Sequence, residues 1–188
     1  MIMKETRTSD NNPIEVDFID PELLNSSGRI AMSIAPGKIT EDSQYIWERD
    51  LDIDLKRLHS EIGVSHVFCL LEDEELQEIG LSQYFEKLAN LGIGHSTFPV
   101  DDFGKPESQD EFFSIVSEAN QKIDAGETVL IHCNGGKGRT GMMAAACLVH
   151  KGYDPEEAIQ LVKEKRKGAL SVEIKCDAVR EFASELNA

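Results

Sequence analysis

The sequence predicts an α/β fold, a central and mainly parallel sheet flanked by helices. Short apolar runs of strand length alternate with segments of helical period along most of the chain. The runs at Val64–Leu71 and Val129–Ile131 are almost wholly apolar, as strands buried on both faces are. The Ala-rich stretch from about Arg139 to His150 is apolar all round, which predicts a helix inside the layers.

Taken in order, residues 1–28 are polar and carry the breakers Asn11-Asn12-Pro13 and Ser26-Ser27-Gly28, so they read as an arm that either packs on the domain or frays. A globular domain is expected over 29–188. Arg29–Ile34 is a short strand ended by Pro36-Gly37. Leu51, Leu55, Leu58 and Ile62 recur at helical spacing, with Gly63 placed to end that helix. Val64–Leu71 is the next strand. Ser82 is positioned to cap a helix that turns Phe85, Leu88 and Ala89 inward and stops at Gly92; Gly94–Val100 follows as a strand. Phe112, Ile115, Val116, Ala119 and Ile123 form one helical face closed by Gly126. Beyond His150, Asp154-Pro155-Glu156-Glu157 is a helix start with Asp as cap, Pro first and Glu third. That helix should bury Ala158, Leu161 and Val162, and a last helix should run from about Ser171 or Ile174 to Leu186.

Composition limits function. The 188 residues carry 19 Lys and Arg against 35 Asp and Glu, a net charge of −16. Such a surface repels phosphate backbones and anionic headgroups, so neither nucleic acid nor a membrane surface is an expected partner. No apolar stretch is long enough to span a bilayer, and Met1–Asp10 lacks the apolar core of a signal peptide. Cys69, Cys133, Cys147 and Cys176 show no CxxC spacing; they read as reduced thiols of a cytoplasmic protein. No metal and no cofactor is called for. Nothing in the sequence sets the oligomeric state.

The chemistry sits in Ile131-His132-Cys133-Asn134-Gly135-Gly136-Lys137-Gly138-Arg139-Thr140-Gly141, between a buried strand and a buried helix. Its glycines let successive backbone N–H groups turn inward as an anion nest, and the helix that follows adds the positive end of its dipole. Arg139, six residues after Cys133, can fold back over the same concavity and hold two phosphate oxygens with its planar fork. Thiols in such surroundings ionise readily, and a thiolate beneath a phosphoryl group is placed for in-line attack. The nucleotide-loop alternative G-x-x-x-x-G-K-[ST] fails, because Lys137 is followed by Gly138.

The segment HCNGGKGRTG resembles the HC-x₅-R-[ST] loop of the cysteine-dependent protein tyrosine and dual-specificity phosphatases. About 30 residues upstream, Phe98-Pro99-Val100-Asp101-Asp102-Phe103-Gly104-Lys105-Pro106 resembles their general-acid loop. Arg49-Asp50-Leu51…Asp54-Leu55 and Gly168-Ala169-Leu170 are similar to the kinase-associated phosphatase branch. The resemblance implies a dual-specificity phosphatase-like fold and a phosphorylated protein or peptide as substrate. It implies Cys133 as nucleophile, Arg139 as binder of substrate and transition state, and Asn134, Gly135, Gly136, Lys137 and Gly138 in the N–H cradle. Thr140 would donate to the sulfur, and His132 would hold the loop. Asp102, third after Pro99, would be the acid; Asp101 and Glu72 are the alternatives. Related enzymes often carry Gln seven residues after the terminal Gly to orient the hydrolytic water, whereas Lys175 stands there in this chain. Some relatives pair a second thiol with the nucleophile, which makes Cys69 a redox candidate, its plain alternative being a small buried hydrophobe. A chain of this length lacks room for the loops that deepen a tyrosine-only pocket, so phosphotyrosine is the expected substrate, with phosphoserine and phosphothreonine as further candidates. A phosphoinositide or small-phosphoester phosphatase and an inactive phospho-recognition module are the rivals. Lys137 favours the lipid enzyme; neutral Asn134 and the net charge oppose it.

Overall fold

In the computed structural model, which describes residues 4–186, there are two sheets, and the hydrophobic core is built around the larger one. The larger contains β2 (Asp17–Ile19), β3 (Arg29–Ser33), β6 (Val64–Cys69), β7 (Gly94–Thr97) and β8 (Thr128–His132), in the order β2-β3-β8-β6-β7. Its four principal strands are parallel, and the edge strand β2 runs antiparallel to β3, so the sheet is mixed. The helix α6 (Gly138–His150) is buried from Arg139 to Val149, as its all-round apolar sequence requires. It packs against α5 (Gln109–Asp124), α7 (Pro155–Lys165) and α8 (Glu173–Leu186). The five apolar positions read on α5 are all buried, and Asp154 caps α7 by accepting from the Glu156 N–H at 2.9 Å. On α7 the buried residues are Ala158, Ile159 and Val162, with Leu161 only partly covered.

Of the two alternatives for the arm, its described part packs on the domain: β1 (Glu5–Thr8), β2 and the single turn α1 (Pro21–Leu24) belong to it, and Ile14, Ile19 and Leu24 enter the core at 1%, 0% and 0% exposure. Three features depart from the sequence reading. A second sheet, in the order β1-β5-β4, forms from β1, β4 (Ile39–Glu41) and β5 (Tyr45–Glu48). Ser82 is exposed and outside the helix α4 (Tyr84–Asn90), which buries Tyr84 and Leu88 and leaves Ala89 outward. A short acidic helix, α3 (Asp73–Glu78), follows β6, held by the single buried residue Leu76.

The helix read from Leu51 is α2 (Leu51–Lys56), with the Asp50 side chain accepting from the Ile53 N–H; it continues as a π turn over Arg57–Glu61. A buried ion pair anchors its start. Asp54 accepts from Arg49 Nε and Nη2 at 2.7 and 2.8 Å and from the Gly37 N–H at 2.8 Å, while Arg49 Nη1 reaches the Asn12 carbonyl. Arm, small sheet and α2 thus meet at one satisfied pair.

Candidate active site

Cys133 follows the C-terminal end of β8, and the chain turns there into α6. The central position of β8 holds this turn from both sides: the Leu70 N–H donates to His132 O at 3.1 Å and the Ala35 N–H to Asn134 O at 3.1 Å. Of the loop glycines Gly135, Gly136 and Gly138, Gly136 is the one that needs to be glycine. Its φ is +64°, and a Cβ would lie 2.1 Å from the Ser33 carbonyl oxygen. Arg166 Nε donates to the Gly136 carbonyl from beneath while Nη1 pairs with Asp17 at 2.7 Å. Among the described residues, no protein acceptor takes the N–H groups of residues 134–137. They remain donors for a bound anion.

The Thr140 hydroxyl donates to Cys133 Sγ at 3.2 Å. His132 is fully buried and bridges two partners. Its Nδ1 lies 3.1 Å from the Cys133 carbonyl and its Nε2 2.8 Å from the Tyr84 hydroxyl. A carbonyl can only accept, so Nδ1 carries the proton and Tyr84 donates to Nε2. Burial lowers His132 to about 4, against the pull of the Cys133 carbonyl, and raises Tyr84 well above its usual range; both stay neutral.

Arg139 is 1% exposed, and its donors are divided. Nη1 and Nη2 meet the Glu75 carboxylate end-on at 2.6 and 2.9 Å, and Nη1 also reaches the Val100 carbonyl at 3.0 Å. The edge formed by Nε and Nη2 is left. Nε is buried without a protein partner, and Nη2 lies 3.2 Å from Asp102 Oδ1. This is the edge that suits two oxygens of a tetrahedral anion. Burial raises the Glu75 carboxyl, but Arg139 overrides it and holds that carboxyl below the usual range. Burial likewise opposes the Arg139 charge, and the hydrogen bonds to Glu75 with the charges of Cys133, Glu75 and Asp102 more than restore it.

The two neighbouring aspartates face differently. Asp101 Oδ1 accepts from the Phe103 N–H at 2.8 Å and so closes the loop, whereas Asp102 lines the same cup as Cys133, Asn134 and Gly138. Glu72 stands at the start of α3, where its N–H donates to Glu75. Lys137 is exposed, and its side chain makes no hydrogen bond or ion pair among the described residues. Cys69 pairs in register with His132 on the neighbouring strand, one residue short of Cys133. Burial pushes its thiol up to about 12. All four cysteines are free and buried.

Sequence reasoning missed Glu75, Tyr84, Arg166 and Lys38. Lys38 is 3% exposed; its amino group lies 4.3 Å over the Trp47 ring and 3.3 Å from Asn134 Oδ1. Burial lowers it to about 8, although Asp42 and Cys133 favour its charge. With Thr40 and Asp42 it forms one wall of the cup. No group of side chains suited to hold a metal occurs among the described residues.

Comparison with known proteins agrees with this geometry. The rat protein named cyclin-dependent kinase inhibitor 3 is 24% identical over 98% of this chain and 86% of its own length. A probable protein tyrosine phosphatase type IVA A of Dictyostelium discoideum is 32% identical, over 46% of this chain and 53% of its own. Among solved structures, a kinase associated phosphatase with its catalytic-site cysteine replaced by serine superposes with a TM-score of 0.84 at 24% identity, covering 94% of this chain and 98% of that one. The family described as PTP-SAK, Swiss Army Knife protein, DSP-PTPase phosphatase domain, matches residues 29–185. Since that match takes in both sides of the cup, the loop from Phe98 to Pro106 and the terminal helix, the chain belongs to the DSP-PTPase phosphatase family and is a cysteine-dependent phosphatase.

Proposed function

We propose that this phosphatase removes phosphate from phosphotyrosine in proteins, and from phosphoserine and phosphothreonine, through a phosphocysteine intermediate. The observation that carries the reading is the convergence on Cys133 of unpaired N–H groups at 134–137 and the Nε–Nη2 edge of Arg139, whose Nε has no protein partner and whose Nη2 faces Asp102. Phosphate oxygens in that cradle leave phosphorus above Sγ. Glu75 and the Val100 carbonyl hold the guanidinium, so the edge is preorganised and little is lost in aligning it. Asp102 lies beside that edge. As oxygens of the substrate take over Nη2, the Asp102 carboxylate is released to take up a proton from solvent; in that acid form it protonates the departing oxygen, and as the carboxylate so regenerated it receives a proton from the water that cleaves the thiophosphate bond. Thr140, donating to sulfur, stabilises the thiolate when it leaves.

Protein substrates fit better than phosphoinositides. The wall beside the cup includes Glu41 and Asp42, and the whole chain is strongly acidic, which opposes docking on an anionic bilayer. The placement of Cys133, Arg139 and Asp102 around one cup argues against a recognition module without turnover. A reducing compartment such as the cytoplasm suits four free cysteines.

The test is phosphate release from phosphotyrosine and phosphothreonine peptides and from phosphoinositide micelles. Peptide turnover should dominate, Cys133→Ser should abolish it while still binding inorganic phosphate, and Arg139→Ala should lose both. Substantial turnover by pure Cys133→Ser would exclude the thiol mechanism, and preferential lipid turnover would exclude the substrate assignment.

A further inference from the structure

Lys175 has an environment that its place in the sequence does not explain. It is on the first turn of α8 and 1% exposed, an unusual burial for a lysine without a carboxylate in contact. Its amino group donates to two backbone carbonyls, those of Asp101, at 3.0 Å, and of Gly104. These carbonyls bracket Asp102 and Phe103. Within the bracket the chain makes one tight turn, the Gly104 N–H donating to Asp101 O at 3.1 Å and the Phe103 N–H to Asp101 Oδ1. Arg139 also holds the loop, at the Val100 carbonyl and at Asp102 itself, but no backbone of the turn from Asp101 to Gly104 is bound there. Asp101, Asp102 and Phe103 are exposed, Phe103 at 85%, and no strand or helix includes them. A second tie, Lys105 to Glu181 at 2.6 Å, joins the same loop to the same helix at the surface, where such pairs contribute little.

We infer that Lys175 is the positioning residue of the general acid: by binding the Asp101 and Gly104 carbonyls it latches the acid loop to α8 and fixes Asp102 at the edge of Arg139. The inference rests on the phosphatase reading above. An ammonium group has three donors and no lone pair, so Lys175 cannot accept a hydrogen bond from the hydrolytic water as a Gln oxygen can. Orientation of that water therefore falls to Asp102, and the loop must hold Asp102 through both half-reactions. Lys175 does both by immobilising backbone. Burial and the nearby Arg139 work against its charge, while Asp102, Cys133 and Asp101 support it, so the latch is electrostatically joined to the cup it serves.

The experiment compares wild type with Lys175→Met, which keeps the aliphatic stem and removes the donors, and Lys175→Gln, which restores an N–H donor without the charge. Two leaving groups are used, an activated aryl phosphate that needs little protonation and an alkyl phosphate that needs it fully. Lys175→Met should lower kcat on the alkyl ester by ten-fold or more, with a several-fold smaller loss on the aryl ester. It should also flatten the basic limb of the pH profile and leave inhibition by inorganic phosphate in place. Lys175→Gln should recover part of the alkyl rate. In an Asp102→Ala background, Lys175→Met should cost nothing further. Equal losses on both esters, additivity with Asp102→Ala, or weakened phosphate inhibition would make Lys175 a substrate-binding cation and overturn the latch. Amide exchange supplies a readout independent of turnover. The Phe103 and Gly104 N–H groups should exchange at least ten-fold faster in Lys175→Met, and unchanged exchange overturns the latch even if activity falls. Should the wild type hydrolyse no phosphoester, that measurement still decides the latch while the functional reading falls.

Discussion

Asp101 and Asp102 are chemically identical and separated by one peptide bond, yet the loop gives them different work. Asp101 spends its carboxylate on the Phe103 N–H, whereas Asp102 looks across the cup to Arg139. Asp102→Ala should therefore lower kcat by about 10²–10⁴-fold on esters with poor leaving groups. Asp101→Ala should act only through the loop and cost much less; the opposite ranking in parallel kinetics would exclude Asp102 as the acid. His132 offers a prediction with a sign that can be checked. Its folded value of about 4 lies below the ordinary 6.5, so between these pH values the unfolded chain binds a proton that the native chain refuses. The stability due to neutral His132 is complete above pH 6.5 and is lost as pH falls towards 4, by about 3 kcal/mol in all. Urea unfolding at a series of pH values should show this slope in wild type and a shallower one in His132→Asn. Parallel slopes would mean that His132 is not held neutral.

At the scale of elements, the parts legible in the sequence are those whose own burial imposes a pattern. β6 and β8 are apolar because both faces are covered, and α5 has a single buried face. The small sheet gave no such signal: β4 is three residues long, and β1, with the sequence ETRT, becomes a strand only by pairing with β5. The acidic α3 is likewise silent, with one buried side chain, although it supplies Glu75. Glu75→Gln should keep the fold and lower kcat/KM by making the Arg139 fork mobile, a loss readable against phosphate inhibition. Asp54→Ala strands the buried Arg49 charge and should cost on the order of 3–5 kcal/mol in denaturant unfolding. Cys69, at the end of β6, and Cys133, just beyond the adjacent β8, remain a proposed redox pair. Peroxide would oxidise the Cys133 thiolate to a sulfenic acid, and condensation with the Cys69 thiol would release water and form the disulfide. Activity lost to peroxide should return with a thiol reductant in wild type and not in Cys69→Ser; equal recovery in both would exclude the pair.

For the molecule as a whole, the catalytic loop was legible because Cys, Arg and three glycines are local in sequence. Its supports were not, because they come from far along the chain: Lys38 meets Asn134, Glu75 meets Arg139, and Lys175 meets Asp101. Separation in sequence hides such contacts from any pattern of period two or 3.6. The same holds for the arm, whose polar composition conceals Ile14, Ile19 and Leu24. We propose that residues 4–28 and the phosphatase domain fold as one unit. Burial of those three side chains is worth about 1.5–3 kcal/mol each, comparable in total to the net stability of a domain. Deleting residues 4–28 should therefore abolish cooperative unfolding; a truncated chain that melts like the full one would show the arm to be an appendage.

The two sheets divide the cup between them. Strand β8 of the large sheet leads into the cysteine loop, while Thr40 and Asp42, in and just after β4 of the small sheet, stand at the rim. The groups that break the bond and the groups a substrate meets on arrival are therefore carried by separate modules, joined through Lys38 and the Ala35–Asn134 hydrogen bond. Such a division makes the enzyme retunable. Exchange of the β4–β5 hairpin can change the selection of phosphoproteins while the reaction itself, and its chemical rate once substrate is bound, stays the same.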